Sequence, residues 1–145
     1  MANDERTKEY MIREMEMTQR VIDRLALNSF AVKGWAVTLV VGILLFRGPA
    51  HQVWIAFLPI LVFWYLDAYF LWLERMYRTL FEWIRDNRSK TDEHLFDMNP
   101  HRFEKSVPSK LRTAFSTTLV CLYGTMAIVT ILYLSFLLLL HAGDC

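Results

Sequence analysis

The chain has 145 residues, the size of one domain, and 54% of them are apolar. A net charge of +1 argues against bulk electrostatic attraction to nucleic acid. Cys121 and Cys145, its two cysteines, lie 24 residues apart, about 36 Å along a continuous helix, which excludes an intrachain disulfide. Polar residues are concentrated in two blocks, 1–29 and 74–112, so three long apolar runs remain.

Residues 1–29 are predicted to form a charged cytoplasmic helix. Mostly apolar residues recur along it at spacings of four and three and form a narrow seam, as in a coiled coil: Met11, Met15, Thr18, Ile22 and Leu25. Both a solvated amphipathic helix and a seam joining subunits fit this pattern. No Gly or Pro precedes Gly34, so the helix is expected to run into the first membrane span. Its polar start, with no A-x-A site after the span, predicts an uncleaved anchor.

The first span is predicted at residues 30–46. Gly34, Thr38 and Gly42 recur along it every four residues, and small residues at this spacing let helix backbones approach closely in lipid. A short turn at 47–52, with adjacent Gly and Pro, then reverses the chain. Spans one and two are therefore expected to form a tight antiparallel hairpin.

The second span is predicted at residues 53–73, with the helix extending to about residue 85. Pro59 is expected to bend it. A hairpin folded about residue 50 places Lys33 of span one opposite Asp67 of span two. Charges inside a membrane are functional candidates by default. Either the two charges neutralise each other and hold the hairpin together, or they form a gate or an ion site.

Residues 86–110 are predicted to be a cytoplasmic connector. Ser89 is expected to cap a short helix ending near residue 98, and Asn99-Pro100 reads as the cap and first residue of another. A third span follows at 111–140, because residues 113–140 contain no charged side chain. Those 28 residues reach about 42 Å, against a hydrocarbon core of about 30 Å.

One face of the third helix is small and mildly polar. It carries Thr113, Thr117, Cys121 and Gly124. Such a face either packs against another helix or, in an oligomer, lines a narrow aqueous path. The Gly34–Thr38–Gly42 face of the first helix is the other candidate lining.

The polar segments contain basic residues that could contact an anionic ligand: Arg75, Arg78, Arg85, Arg88, Lys90, Arg102 and Lys105. Seven acidic residues are interleaved with nine basic ones between 74 and 112, so solvated surface and lipid-headgroup contacts explain them equally well.

The same segment has a spacing typical of metal ligands, formed by His94, Asp97, His101 and Glu104. Asn99-Pro100 interrupts that face, and no H-E-x-x-H motif is present, so no metal site is expected. The nucleophile-elbow, Walker A and dinucleotide-binding motifs are absent too. The sequence therefore predicts neither an enzyme nor a cofactor.

The basic residues also predict the orientation. Of 16 Lys and Arg residues, 15 lie before residue 34 or between 75 and 112. Positively charged segments stay in the cytoplasm, so the N-terminus and residues 74–112 are expected inside, and residues 47–52 and the tail 141–145 outside. The predicted fold is an all-α integral membrane protein with three transmembrane helices.

The run "FAVKGWAVTLVVGILLF" at 30–46, followed by "FLPILVFWYLDAYFLWLERMYRTLFEWIR" at 57–85, resembles the small transmembrane effectors of bacterial anti-phage systems. It is similar both to the SLATT class and to the channel effector of the Hailong system, over roughly residues 10–85. The third helix departs from the two-span SLATT plan.

The resemblance implies a homo-oligomeric channel in the bacterial inner membrane. It also implies that a cytoplasmic nucleotide or oligonucleotide, made by a partner enzyme, opens the channel and depolarises the infected cell. The alternative function is a non-conducting membrane anchor or scaffold that recruits a cytoplasmic partner.

Overall fold

The computed structural model describes residues 2–46, 50–91 and 93–143. Arg47, part of the predicted turn, and the tail thiol of Cys145 lie outside the described residues. The order of elements is α1 (Ala2–Leu45), a 3₁₀ helix (Ala50–Ala56), α2 (Phe57–Asn87), a second 3₁₀ helix (Pro100–Ser106), α3 (Lys110–Ala114) and α4 (Thr117–Gly143). The described part of the chain contains no strand.

Three segments are long and apolar enough to cross a membrane: Glu5–Leu45, Val53–Asn87 and Thr117–Leu140. The expectation of an all-helical chain with three membrane-length helices is therefore confirmed. In the most apolar 18-residue window of each, only 22%, 33% and 17% of residues are buried within the chain. Most of the apolar surface thus faces outward, where lipid or further subunits can cover it.

The first two long helices pack against each other along most of their length. α1 has 44 residues and spans about 66 Å. Its buried residues follow one face, as do those of α2: Thr18, Ile22, Leu25, Ala36 and Val40 in α1, with Ile60, Ala68, Met76, Leu80 and Ile84 in α2. Thr18, Ile22 and Leu25 of the N-terminal seam thus pack within the chain, whereas Met11 and Met15 are only partly buried.

α2 continues to Asn87, close to the predicted end. Pro59, which was expected to bend the second span, lies in the first turn of α2. A proline there leaves no helical hydrogen bond unmade, because the first N–H groups of a helix have no partner within it. The 3₁₀ helix before α2 moves the start of the regular helix almost to the proline.

The segment after α2 contains turns in place of the short helix predicted to end near residue 98. His94 and Phe96 both have φ of 58°, in the left-handed region. The helix is absent because Glu14 of α1 and Arg88, the residue after α2, bind the backbone polar groups of this segment. The Asn99 cap is confirmed: its side chain accepts a hydrogen bond from the His101 N–H at 3.1 Å, with Pro100 as first helical residue.

The single helix predicted at 111–140 is divided into α3 and α4 by Phe115 and Ser116. Ser109 caps α3 by accepting the Arg112 N–H at 3.3 Å. At the break, Trp64 Nε1 of α2 donates to the Ala114 carbonyl at 2.9 Å. A tertiary contact thus satisfies a carbonyl that the interrupted helix leaves free. The membrane-length third helix is Thr117–Leu140.

Candidate functional site

An ion pair joins the first two long helices inside their apolar region. Lys33 Nζ lies 2.8 Å from each carboxylate oxygen of Asp67. Asp67 is fully buried, whereas the Lys33 side chain keeps 27% of its surface exposed. The structure therefore brings together the two charges that the hairpin geometry placed opposite each other.

Two hydroxyls complete this site, and the sequence reasoning missed both. Ser29 Oγ donates to Asp67 Oδ1 at 2.5 Å and accepts from Lys33 Nζ at 2.6 Å. The Tyr123 hydroxyl of α4 lies 3.3 Å from Asp67 Oδ2 and 3.2 Å from the Phe63 carbonyl, so its one proton has two acceptors. We call Ser29, Lys33, Asp67 and Tyr123 the Asp67 cluster.

The Asp67 cluster fixes three helices relative to one another. A buried carboxylate in a low-dielectric interior is tolerated when it is paired and hydrogen-bonded, and both oxygens of Asp67 meet this condition. Ser29 could have been found from its position one turn before Lys33 on the same face. Tyr123 could not, because the rotation of α4 about its axis depends on tertiary packing.

A second buried ion pair lies at the polar end of the hairpin. Glu14 of α1 accepts two hydrogen bonds from Arg88, which follows α2, and the two side chains are 2% and 1% exposed. The remaining Arg88 N–H groups donate to the carbonyls of Thr91, Glu93 and His94 at 2.8–3.2 Å. Arg88, predicted to contact an anionic ligand, is therefore fully engaged within the chain.

Glu14 also binds the connector directly, since its Oε1 accepts the Phe96 N–H at 2.6 Å. We call this pair, with the backbone groups that it holds, the Glu14–Arg88 clasp. It explains why residues 93–96 are turns: the two side chains take the place of helical partners. The sequence offered no signal for it, because the partners are 74 residues apart.

Three other predicted anion contacts bind neighbouring side chains, whereas Arg102 lies beside one but leaves its buried Nε and Nη2 without a hydrogen-bond partner among the described residues. Arg78 pairs with Glu74 at 2.7 Å, Arg85 with Asp86 at 2.8 Å, and Arg102 lies 3.8 Å from Asp97 and over the Trp83 ring. Arg75 donates to Thr113 Oγ1 at 3.2 Å. Lys90 and Lys105 are exposed. The seven basic residues therefore do not converge as free donors on one site.

The predicted small face of the third helix is split by the break at Phe115 and Ser116. Thr113 is fully buried, whereas Thr117 and Cys121 are exposed and Gly124 is half-buried. The exposed part lines an open concavity of about 440 Å³, together with Thr118, Leu122, Thr125 and Met126. This polar stripe, Thr117, Cys121 and Thr125, is thus not covered by the chain's own helices.

The small face of α1 is likewise uncovered. Gly34 and Thr38 are exposed, and Gly42 is half-buried. A Cβ placed on Gly34, Gly42 or Gly124 would meet no described atom within 4 Å outside its own helix. Within one subunit, therefore, none of these glycines is needed for close helix packing.

Of the four residues with metal-ligand spacing, His94 and Asp97 lie close together, with 3.7 Å between Nδ1 and Oδ2, whereas the two histidine rings pack against different tryptophans. The His94 ring packs against Trp83 at 6.5 Å between centroids, and the His101 ring lies 6.0 Å from that of Trp72. Among the residues that the structure describes, no group of three or more potential ligands is placed to hold a metal ion.

No protein-family model, curated protein or solved structure matches the chain. The molecule contains a neutral buried cluster joining three helices, a clasp that holds the connector, and a polar stripe left open on α4.

Proposed function

We propose that the protein is the subunit of a homo-oligomeric ion channel in the bacterial inner membrane. The observation that carries this proposal is the exposure of Thr117, Cys121 and Thr125 on a helix of membrane length. If the helix-three face served packing within the subunit, α1 and α2 would cover it. Hydroxyls and a thiol on an outward face suit contact with another subunit or with water.

A path for ions requires several copies of the chain. Where the three long helices meet, apolar side chains fill the centre: Ala36, Val40, Ile60, Ala68, Leu119, Tyr123 and Met126. A subunit with this packed centre has no internal route. Closed rotational symmetry would bring one α4 stripe from each copy to a common axis, which is how side-chain rings line oligomeric pores.

We further propose that the channel is an effector of anti-phage defence, opened by a nucleotide or oligonucleotide that a partner enzyme makes. The resemblance of residues 10–85 to such effectors supports this role. The distribution of basic residues supports a cytoplasmic N-terminus and connector and an outer C-terminus. In this orientation the Glu14–Arg88 clasp lies on the side where the signal is made.

Two measurements on the purified full-length chain test the proposal. The mass of the protein–detergent complex gives the subunit number, and planar-bilayer recording gives conductance with and without added cyclic dinucleotides and short oligonucleotides. We expect a defined oligomer with discrete current steps, which a nucleotide makes more frequent. A monomer both in detergent and in bilayers would contradict the channel proposal.

The alternative, a non-conducting anchor or scaffold, is favoured by one observation at the polar end of the hairpin. A groove of about 410 Å³ there is lined by Ile12, Met15 and Phe81, with polar residues at its edge. Ile12 is 52% exposed although it is apolar. A monomer that lacks conductance but retains a cytoplasmic protein through this groove would establish the scaffold function instead.

A further inference from the structure

A cavity of about 400 Å³ lies where the apolar part of α2 ends and α3 begins. Its lining includes Trp72, Glu104, Lys105, Ser109 and Lys110, with Leu111 at its apolar side. Trp72 is 2% exposed and lies two residues before the first charged residue that follows Asp67 in α2. Tryptophan is typical of the level at which hydrocarbon meets lipid headgroups.

The polar lining suits a single negative charge. Lys110 Nζ lies 4.3 Å from the centroid of the Trp72 ring, a cation–π contact that positions the ammonium group over the aromatic face. Lys105 adds a second ammonium, and Glu104 offsets one of the two charges. Ser109 Oγ accepts the Arg112 N–H, so its own hydroxyl proton remains available to a ligand.

An exposed apolar pair leads away from this cavity. Leu111 and Phe115 are 76% and 66% exposed, and Phe115 follows Leu111 by one helical turn. The Phe115 ring packs edge-on against Trp64 at 5.4 Å. Phe115 and Trp64 also line a second cavity of about 240 Å³ with Ile60, Leu61 and Gly124. Exposed apolar side chains thus follow the polar cavity in the direction of the second one.

We propose that the two cavities form one binding site for an anionic phospholipid. The phosphodiester binds Lys105, Lys110 and the Ser109 hydroxyl, and one acyl chain lies over Leu111 and Phe115 in the groove beside Trp64. Trp72 is 12 residues from Ile60 in α2, about 18 Å along the helix axis. Half of a hydrocarbon core of about 30 Å is about 15 Å, so the site matches one leaflet. This site does not depend on ion conduction.

Native mass spectrometry of the full-length protein in detergent, titrated with phosphatidylglycerol, tests the headgroup contacts. We expect at least tenfold weaker lipid binding when Lys105→Gln and Lys110→Gln are combined. Lys90→Gln is the matched control, because Lys90 is an exposed lysine of the connector outside the cavity lining; it should change binding less than twofold. Lys105→Arg with Lys110→Arg should retain binding. Equal affinity of the glutamine double variant and the parent would overturn the proposal.

Three further arms identify the source of the phosphate. Phosphatidylcholine should bind at least tenfold more weakly than phosphatidylglycerol, because its headgroup has no net charge. Glycerol phosphate should not displace the lipid at equal concentration, because it lacks the chain. Leu111→Gln should weaken the lipid severalfold. Two results together would show a site for soluble phosphates and overturn the lipid assignment: glycerol phosphate displaces the lipid, and the Leu111→Gln variant binds the lipid as well as the parent does. Equal binding of the two lipids would also overturn it.

Discussion

Glu14 and Arg88 form a two-bond ion pair between positions 74 residues apart, and each side chain is at most 2% exposed. The guanidinium also binds three backbone carbonyls of the connector, and the carboxylate binds one backbone N–H. One contact therefore joins the N-terminal half of α1, the end of α2 and the segment that follows. In the proposed orientation, this contact lies on the cytoplasmic side of the membrane helices.

Replacing one partner of the clasp should destabilise the polar end strongly. We expect Arg88→Met to cost about 3–5 kcal/mol, because Glu14 would remain buried and unpaired. The midpoint of thermal unfolding in detergent should fall, and proteolysis within residues 89–98 should become faster. Arg85→Met is the matched control, since Arg85 pairs with Asp86 at the surface and its loss should not measurably shift the midpoint. Equal shifts for the two variants would contradict the importance of the clasp.

Lys33 and Asp67 should show coupled mutational effects. Lys33→Met or Asp67→Asn alone removes one charge of a buried pair and should lower both oligomer yield and activity. The double variant leaves no unpaired charge and should recover part of the loss. Thermal unfolding of all four proteins measures the coupling. Strictly additive losses would show that the pair has no energetic role.

Tyr123→Phe tests the third helix of the Asp67 cluster. It removes the phenolic donor that lies 3.3 Å from Asp67 Oδ2 without emptying the ring's space. We expect a loss of about 1 kcal/mol, the typical contribution of one hydrogen bond. Tyr133→Phe, a half-buried tyrosine ten residues further along α4, is the control and should cause a smaller loss. If both substitutions lower the unfolding midpoint equally, the hydrogen bond from Tyr123 to Asp67 does not stabilise the fold specifically.

The polar stripe should respond to bulk and to charge if it lines a conducting path. Thr117→Trp is expected to abolish depolarisation of cells at unchanged protein level, and Thr117→Asp to raise cation selectivity in bilayer recordings. Leu138→Trp is the control, because Leu138 is exposed but lies about 100° around α4 from Cys121, the middle residue of the stripe. If both Thr117 variants conduct like the parent, the Gly34–Thr38–Gly42 face becomes the better candidate lining.

The proposed orientation can be tested with the tail thiol. Because Cys121 is exposed in the structure, the labelled protein should carry Cys121→Ser, which leaves Cys145 as its sole cysteine. A membrane-impermeant maleimide should label this variant in spheroplasts. Introducing a single cysteine at Lys90 in a cysteine-free background provides the control, which should be labelled only after lysis. Labelling of the cysteine at position 90 in spheroplasts, with labelling of Cys145 only after lysis, would show that the topology is the reverse of the proposed one.

Some properties of this protein follow from local sequence. Residues 113–140 are too long and apolar for the interior of a small soluble domain, so a membrane-length helix was predictable from hydropathy. The short turn after the first apolar run determined the antiparallel hairpin, and simple residue spacing then placed Lys33 opposite Asp67. The Asn99-Pro100 cap was equally readable, because capping depends on residues adjacent in the chain.

Tertiary structure decided the rest. The break at Phe115 and Ser116 coincides with a hydrogen bond from Trp64, which is 50 residues away. The N-terminal seam packs on α2. Arg88 forms a buried ion pair with Glu14, although its sequence neighbours suggested a solvated basic residue. The outward turn of Thr117 depends on how α4 rotates against α2. Contacts between distant side chains fix each of these features, and neither periodicity nor spacing along one helix specifies such contacts.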